Sequence, residues 1–121
     1  MRRRPPATRH SITHRVEIRA KGGPVDVYVT VGLYQDRSPA ELFVVLGKAG
    51  EPMAGMARCW ATCFSICLQM GVPIEHLVEK FKFFRFEPAG PTDNPEIPFA
   101  QSIPDYACRW MEQRFGKGTR F

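Results

Sequence analysis

Three cysteines on one side of a predicted helix are the residues whose spacing first suggests chemistry. Cys59, Cys63 and Cys67 recur every four residues, which places them on one helical face. Thiolates so arranged could ligate a metal ion, but three ligands on one continuous helix converge poorly, and tetrahedral sites usually add a second element. We therefore predict no metal site, with these cysteines buried against a sheet and Cys108 buried in the core. A small thiol enzyme is the alternative.

The histidines have no spacing typical of a metal site or a Cys–His pair. His14 alternates with apolar residues, which predicts a half-buried, hydrogen-bonded side chain. His76 lies beside Glu75 and Glu79 and is expected to be solvated. The patterns GxxxxGK[ST], GxGxxG and GxSxG are absent from the sequence. The sequence therefore indicates no catalytic set and no cofactor.

The net charge of +5 is concentrated at the N-terminus. Residues 1–21 hold seven Lys/Arg and one acid, a net +6, and residues 22–121 hold ten Lys/Arg and eleven acids, a net −1. We predict that residues 1–10 form a flexible basic arm, either a solvated leader or a phosphate-binding segment. The phosphate-binding candidates in this arm are Arg2, Arg3, Arg4 and Arg9.

Aromatic and basic residues alternate close to position 80. Phenylalanines at positions 81, 83, 84 and 86 are interleaved with Lys80, Lys82 and Arg85. Such a pattern can stack bases and bind phosphates. This pattern, which includes Lys80, and the basic arm together indicate a nucleotide or nucleic-acid binding module. The other interpretation is that the phenylalanines anchor the loop that follows.

That loop, FRFEPAGPTDNPEIP, covers residues 84–98, and four of its fifteen residues are proline. Loops of this length are uncommon in compact domains unless they are functional or disordered. Its prolines restrict the unfolded chain, so the loop can hold a fixed shape. We predict a contact site for a partner here. The candidate binding residues are Arg85, Glu87, Asp93, Asn94, Lys82 and, on the long helix, Arg58.

Two hydrophobic periods predict the elements that position these residues. Alternation indicates strands over residues 12–20, 25–34 and 41–48, joined as an antiparallel meander. The third strand is apolar on both faces, which predicts a central or covered position. A period of 3.6 then predicts a long helix over residues 53–71, buried on most sides. Its narrow polar stripe consists of Arg58, Thr62, Ser65 and Gln69.

Two shorter helices complete the predicted fold. One covers residues 74–81, and the C-terminal one covers residues 102–115 with Ser102 as N-cap and Asp105 in the first turn. The fold class is α+β, a three-stranded antiparallel sheet packed against a long buried helix, a short helix and a C-terminal helix. We expect a single domain over residues 11–116 and a tail over residues 117–121, since a chain of 121 residues suits one domain.

Composition predicts the setting of the domain. The chain has no apolar run long enough to span a bilayer and no apolar segment after its basic N-terminus, so we predict a cytoplasmic protein with reduced thiols. So apolar a helix in so small a domain suggests a homo-oligomer, most simply a symmetric dimer.

Seven segments together resemble a known family. They are SITHRVEI (11–18), VTVGLYQD (29–36), ELFVVLGKAG (41–50), SICLQMGVPIEHLVEKF (65–81), RFEPAG (85–90), NPEIPFAQSI (94–103) and DYACRW (105–110). In this order they resemble the TSCPD domain, the region after the catalytic barrel of adenosylcobalamin-dependent (class II) ribonucleotide reductases.

The resemblance implies a binding function more than a catalytic one. In that family the radical chemistry, the cobalamin site and the active-site cysteines belong to the barrel, which this sequence lacks, and the cysteine-rich tail and the Thr-Ser-Cys-Pro-Asp motif are missing as well. It also implies small residues where Cys59, Cys63 and Cys67 stand, and glycine at the positions of Arg37 and Ala40. The leading hypothesis is a free-standing, non-catalytic accessory domain that binds a ribonucleotide reductase subunit or a related partner.

Overall fold

The computed structural model describes residues 1–47 and 50–115. Its elements in chain order are β1 (Ser11–Ala20), β2 (Gly23–Leu33), β3 (Pro39–Gly47), α1 (Glu51–Gln69), α2 (Ile74–Phe81), β4 (Gly90–Pro91), β5 (Phe99–Ala100) and α3 (Ile103–Phe115). This is the predicted α+β fold. The predicted strand end at Lys48, the helix stop at Gly116 and the tail over residues 117–121 lie outside the described residues.

The main sheet is an antiparallel meander in the order β1-β2-β3. Val16 pairs with Val27, and Val29 pairs with Val44, so that alternate residues of all three strands face the same side. As the alternation predicts, Val27, Val29 and Val31 are fully buried. The helices pack on this face and form one core with it.

The third strand is not central, because β2 lies between β1 and β3. Its outer face leaves Phe43 and Val45 exposed. Its open edge, however, is covered by α1. Ser65 Oγ accepts a hydrogen bond from Leu42 N at 2.8 Å, and Gln69 Nε2 donates to the Ala40 carbonyl at 3.0 Å. β3 is therefore an edge strand whose open edge is covered by α1, whereas its outer apolar face is not covered by the described residues.

These bonds set which face of α1 turns inward, and they contradict one prediction. Ser65 and Gln69 of the polar stripe are buried, because they satisfy the backbone groups of β3. The opposite face is apolar and is exposed in the single chain, so burial of this helix on most sides, against a second subunit, stays a prediction. Cys59 and Cys63 lie on that exposed face and not against the sheet. Cys67 is half-buried, and Cys108 is buried as predicted.

The ends of the helices follow local signals in the sequence. Gly71, just after α1, has φ of 99°, a conformation that glycine adopts without strain. Ser102 Oγ accepts a bond from Asp105 N at 3.1 Å and so caps α3 as predicted. Pro104 falls in the first turn of α3, where its missing N–H costs nothing.

The segment over residues 84–98 covers the second edge of the sheet. Thr92 forms a bridge with Ile18 of β1. Asp93 continues it, since Asp93 N donates to the Glu17 carbonyl at 3.2 Å and Asp93 Oδ1 accepts from Glu17 N at 2.9 Å. Gly90 allows the close approach, because a Cβ there would collide with the carbonyl of Arg19. The loop therefore has a fixed shape, held by backbone pairing.

The N-terminal arm runs beside α1 and the end of β2. Arg3 N donates to the Gln69 carbonyl at 2.7 Å, and Tyr34 Oη donates to the Arg3 carbonyl at 2.6 Å. Leu33 N donates to the His10 carbonyl at 2.9 Å. The flexibility of residues 1–10 in solution stays a prediction. Over the described residues, no helix is long and apolar enough to cross a membrane.

Candidate binding site

An apolar groove opens between the first half of α1, the end of α2 and the start of the loop. Its volume is about 530 Å³, within the range of small-ligand and peptide pockets. Its walls include Met53, Met56, Trp60, Phe84, Phe86 and Pro88, and Glu87 stands among them as a charged residue. Such a lining favours an apolar occupant.

The α1 wall of the groove comes from one helical stripe. Met53, Met56 and Trp60 are spaced by three and four residues, which places them on one side of α1. Met56 is 71% exposed, and Phe84 on the opposite wall is 53% exposed. Exposed methionines beside aromatic rings are typical of surfaces that adapt to a partner.

Trp60 is held in the groove wall by other aromatic rings. Its indole ring packs on Phe64 and Phe81, with ring centroids 5.4 and 5.6 Å away. Its Nε1–H group is buried, and it has no hydrogen-bond partner among the described residues. A buried donor without an acceptor costs about 1–3 kcal/mol.

Two of the predicted loop residues lie at this groove. Glu87 is part of its lining and accepts a bond from Ala89 N at 3.2 Å. Arg85 is exposed next to Phe84 and Phe86, and its Nη1 donates to Gln101 Oε1 at 3.2 Å. Both side chains remain accessible to a partner at the rim.

Three other candidates are used inside the fold. Asp93 binds the β1 backbone, and Asn94 Nδ2 donates to Tyr106 Oη at 2.9 Å. Lys82 Nζ lies 2.8 Å from Glu112 Oε2, and that carboxylate raises the pKa of Lys82. None of the three is part of the groove lining. Their roles as binding residues stay predictions.

The structure brings most of the predicted basic residues to a different place. A second concavity, about 350 Å³ in volume, lies between the arm, β3 and α1. Arg3 turns away from it, with its guanidinium carbon 3.8 Å from the centre of the Tyr34 ring. Lys80 lies on α2, outside its lining. The basic residues of this concavity are Arg2, Arg4, Arg9 and Arg58.

Met53, Met56 and Trp60 were not among the predicted site residues, because their helix was predicted to be buried on most sides. Their spacing on one stripe was the available signal. No group of three or more potential metal ligands occurs within residues 1–47 and 50–115. The described residues form a small α+β domain that has an apolar and a basic concavity.

Comparison with known proteins assigns the family. The TSCPD domain family matches residues 2–115, and the chain belongs to this family. The match begins at residue 2, so it includes most of the arm that the sequence analysis placed outside the domain. No solved structure matches the chain.

The chain is similar to a small part of vitamin B12-dependent ribonucleotide reductases. It is 41% identical to that enzyme of Rhodopirellula baltica over 120 residues, which cover 99% of this chain and 11% of the relative. It is 40% identical to the enzyme of Streptomyces avermitilis over 115 residues, or 95% of this chain and 12% of the relative. The chain thus spans about a tenth of the length of these relatives.

Proposed function

We propose that this TSCPD domain is a non-catalytic accessory module that binds another polypeptide through the apolar groove. In the relatives the matching region is 11% or 12% of the chain, so there it is joined to a much longer polypeptide. A ribonucleotide reductase polypeptide is the partner we propose. The domain would then serve deoxyribonucleotide metabolism in the cytoplasm.

The observation that carries this proposal is the exposed apolar side chains in the walls of the groove. Met56 is 71% exposed, Phe84 is 53% exposed and Phe86 is 49% exposed. A polypeptide segment with apolar side chains supplies what these walls require. The partner segment that we propose is therefore apolar.

The charged side chains at the rim of the groove would orient the partner. Arg85 and Glu87 flank Phe86 on the exposed side of the groove. Oppositely charged side chains on either side of the apolar segment would complement them. Such rim pairs contribute to orientation and association rate more than to affinity.

The first test uses surface plasmon resonance to measure binding of the domain to a ribonucleotide reductase polypeptide of the same host. We expect Phe84→Ser to weaken binding at least about tenfold, since buried aromatic anchors dominate interface energies. Phe99→Ser is the matched control, because Phe99 is also exposed but lies outside the groove. Equal binding by both variants and the native protein would overturn the groove assignment.

A second pair of variants separates the groove from the loop. Trp60→Phe keeps an aromatic ring in the wall and removes only the buried N–H group, so binding should be unchanged. Replacing Arg85 and Glu87 with alanine tests the rim. If this double variant binds normally while Phe84→Ser does not, the loop residues are not part of the contact.

A further inference from the structure

We infer that the basic concavity is a binding site for a phosphate-bearing small molecule, a role beyond the protein contact proposed above. The concavity shares no lining residue with the apolar groove. Four arginines and one glutamate line it, a net formal charge of +3. In a solvated arm these charged side chains would lie far apart, whereas here they line one concavity.

The arm is fastened so that alternate arginines point in opposite directions. Consecutive side chains of an extended segment alternate. Arg3 stacks on Tyr34 and is held through both its N–H and its carbonyl. Arg2 and Arg4 therefore turn to the other side, towards the concavity. A site built in advance in this way loses less conformational entropy when a ligand binds.

The four arginines do not contribute equally. Arg9 forms an ion pair with Glu41, and its Nη1 donates to the Pro6 carbonyl at 2.8 Å, so it shapes the arm. Arg2 Nε donates to Gln69 Oε1 at 2.7 Å, which uses one of three guanidinium nitrogens. Arg4 has no hydrogen bond or ion pair with the described residues, and Arg58 approaches from α1 on the opposite wall.

The surroundings strengthen the positive potential. The remaining walls include Leu42, Val44 and Ala61, which are apolar and buried. Low-dielectric walls concentrate the field of nearby charges. Planar guanidinium groups bind phosphate oxygens through paired hydrogen bonds. The charge and the donor geometry both select an anion with several acceptor oxygens, such as a phosphate chain.

The size and shape favour a small molecule over a nucleic acid. A volume of about 350 Å³ is that of a ligand pocket. A nucleic acid would need basic residues that continue directly from the concavity, but neither Lys80 nor Arg85 borders it. Phe43 stands at the wall and is 48% exposed. Its ring offers a stacking surface for the planar part of a nucleotide.

The test is calorimetric titration of the full chain with inorganic pyrophosphate, with ATP and with adenosine at low salt. We expect pyrophosphate and ATP to bind and adenosine to fail. Arg4→Gln should weaken binding at least about tenfold, since a charge-assisted hydrogen bond is lost. Arg4 has no hydrogen bond or ion pair among the described residues, so we expect this variant to have the same melting temperature as the native protein.

Lys80→Gln is the matched control, because it removes one positive charge outside the concavity. Binding that falls equally in Lys80→Gln and Arg4→Gln would show general charge attraction and overturn the site. The site would also be overturned if adenosine bound and the two phosphate compounds did not, or if none of the three compounds bound. Tighter binding of a single-stranded oligonucleotide that is lost in Lys80→Gln would assign the basic residues to nucleic acid instead.

Discussion

Single side chains decide how the loop and α3 meet, and Asp105 is the main one. It is fully buried. Its carboxylate accepts hydrogen bonds from Phe83 N at 2.6 Å and Gln101 N at 2.9 Å, and it pairs with Arg109 Nη2 at 2.7 Å. One carboxylate thus joins the end of α2, the end of the loop and the first turns of α3.

We expect Asp105→Ala to destabilise the domain by about 3 kcal/mol, because removal of one partner leaves buried donors and a charge without compensation. Asp105→Asn keeps the shape and one acceptor oxygen and should lose less. Urea unfolding measures both variants. A loss below about 0.5 kcal/mol for Asp105→Ala, the size of an ordinary surface substitution, would contradict this role.

His14 is half-buried and hydrogen-bonded, as predicted. Its ring stacks on Trp110 with centroids 5.1 Å apart, and its Nε2 lies 2.8 Å from Tyr106 Oη. Burial lowers the pKa of His14 below its ordinary value of 6.5, while Asp93 raises it and Arg114 lowers it by smaller amounts. The neutral imidazole is therefore the form that the folded protein prefers.

This shift gives the stability a pH dependence. Below the ordinary pKa of 6.5 the unfolded chain takes up a proton that the folded chain does not, so the free energy of unfolding falls as the pH is lowered. We expect this fall between about pH 7.5 and pH 5.5, and urea unfolding at a series of pH values measures it. In a His14→Gln variant the fall should be smaller. An unchanged slope in that variant would contradict the assignment.

At the scale of elements, α1 separates the two concavities and presents a third surface. The exposed residues of its outer face are spaced by three and four, as in the seam of a coiled coil. They are Met56, Cys59, Cys63, Ile66 and Met70. A seam with this repeat fits a second helix with the same repeat, and a second copy of this chain supplies one.

We therefore expect a symmetric dimer through α1, with sedimentation equilibrium as the measurement. A two-fold arrangement places the middle of the seam near the axis, where Cys59 and Cys63 lie. Mild oxidation should then link two copies, and Cys59→Ala with Cys63→Ala should prevent this, whereas Cys108→Ala should not. Ile66→Asp should abolish both the dimer and the cross-link. A monomer at every soluble concentration would contradict the expectation.

Over the whole molecule, local patterns were sufficient for the three helices and the three strands of the main sheet, but not for the two-residue strands β4 and β5. The short helix was predicted over residues 74–81 and is found at Ile74–Phe81, because Gly71 and Pro73 mark its start within the sequence itself. The left-handed φ of 71° at Arg37 likewise falls where the family resemblance implies glycine.

The predictions that were wrong depended on distant groups. Cys59 and Cys63 were predicted to lie against the sheet, but they are exposed. Ser65 and Gln69 face the sheet instead, because they bind the backbone of β3 at Leu42 and Ala40. The presence of Arg4 and Arg58 at one concavity also depends on the path of the arm, which no periodic pattern describes. Periodicity identifies an element, whereas the face that it buries is decided by what the neighbouring elements leave unsatisfied.

The two covered edges of the main sheet have a consequence for how this domain associates. Side chains of α1 occupy the edge of β3, and the segment at Thr92 and Asp93 occupies that of β1. A bare strand edge is a template on which further chains add and fibrils grow. With these backbone groups occupied, strand addition at these positions of the two edges is blocked.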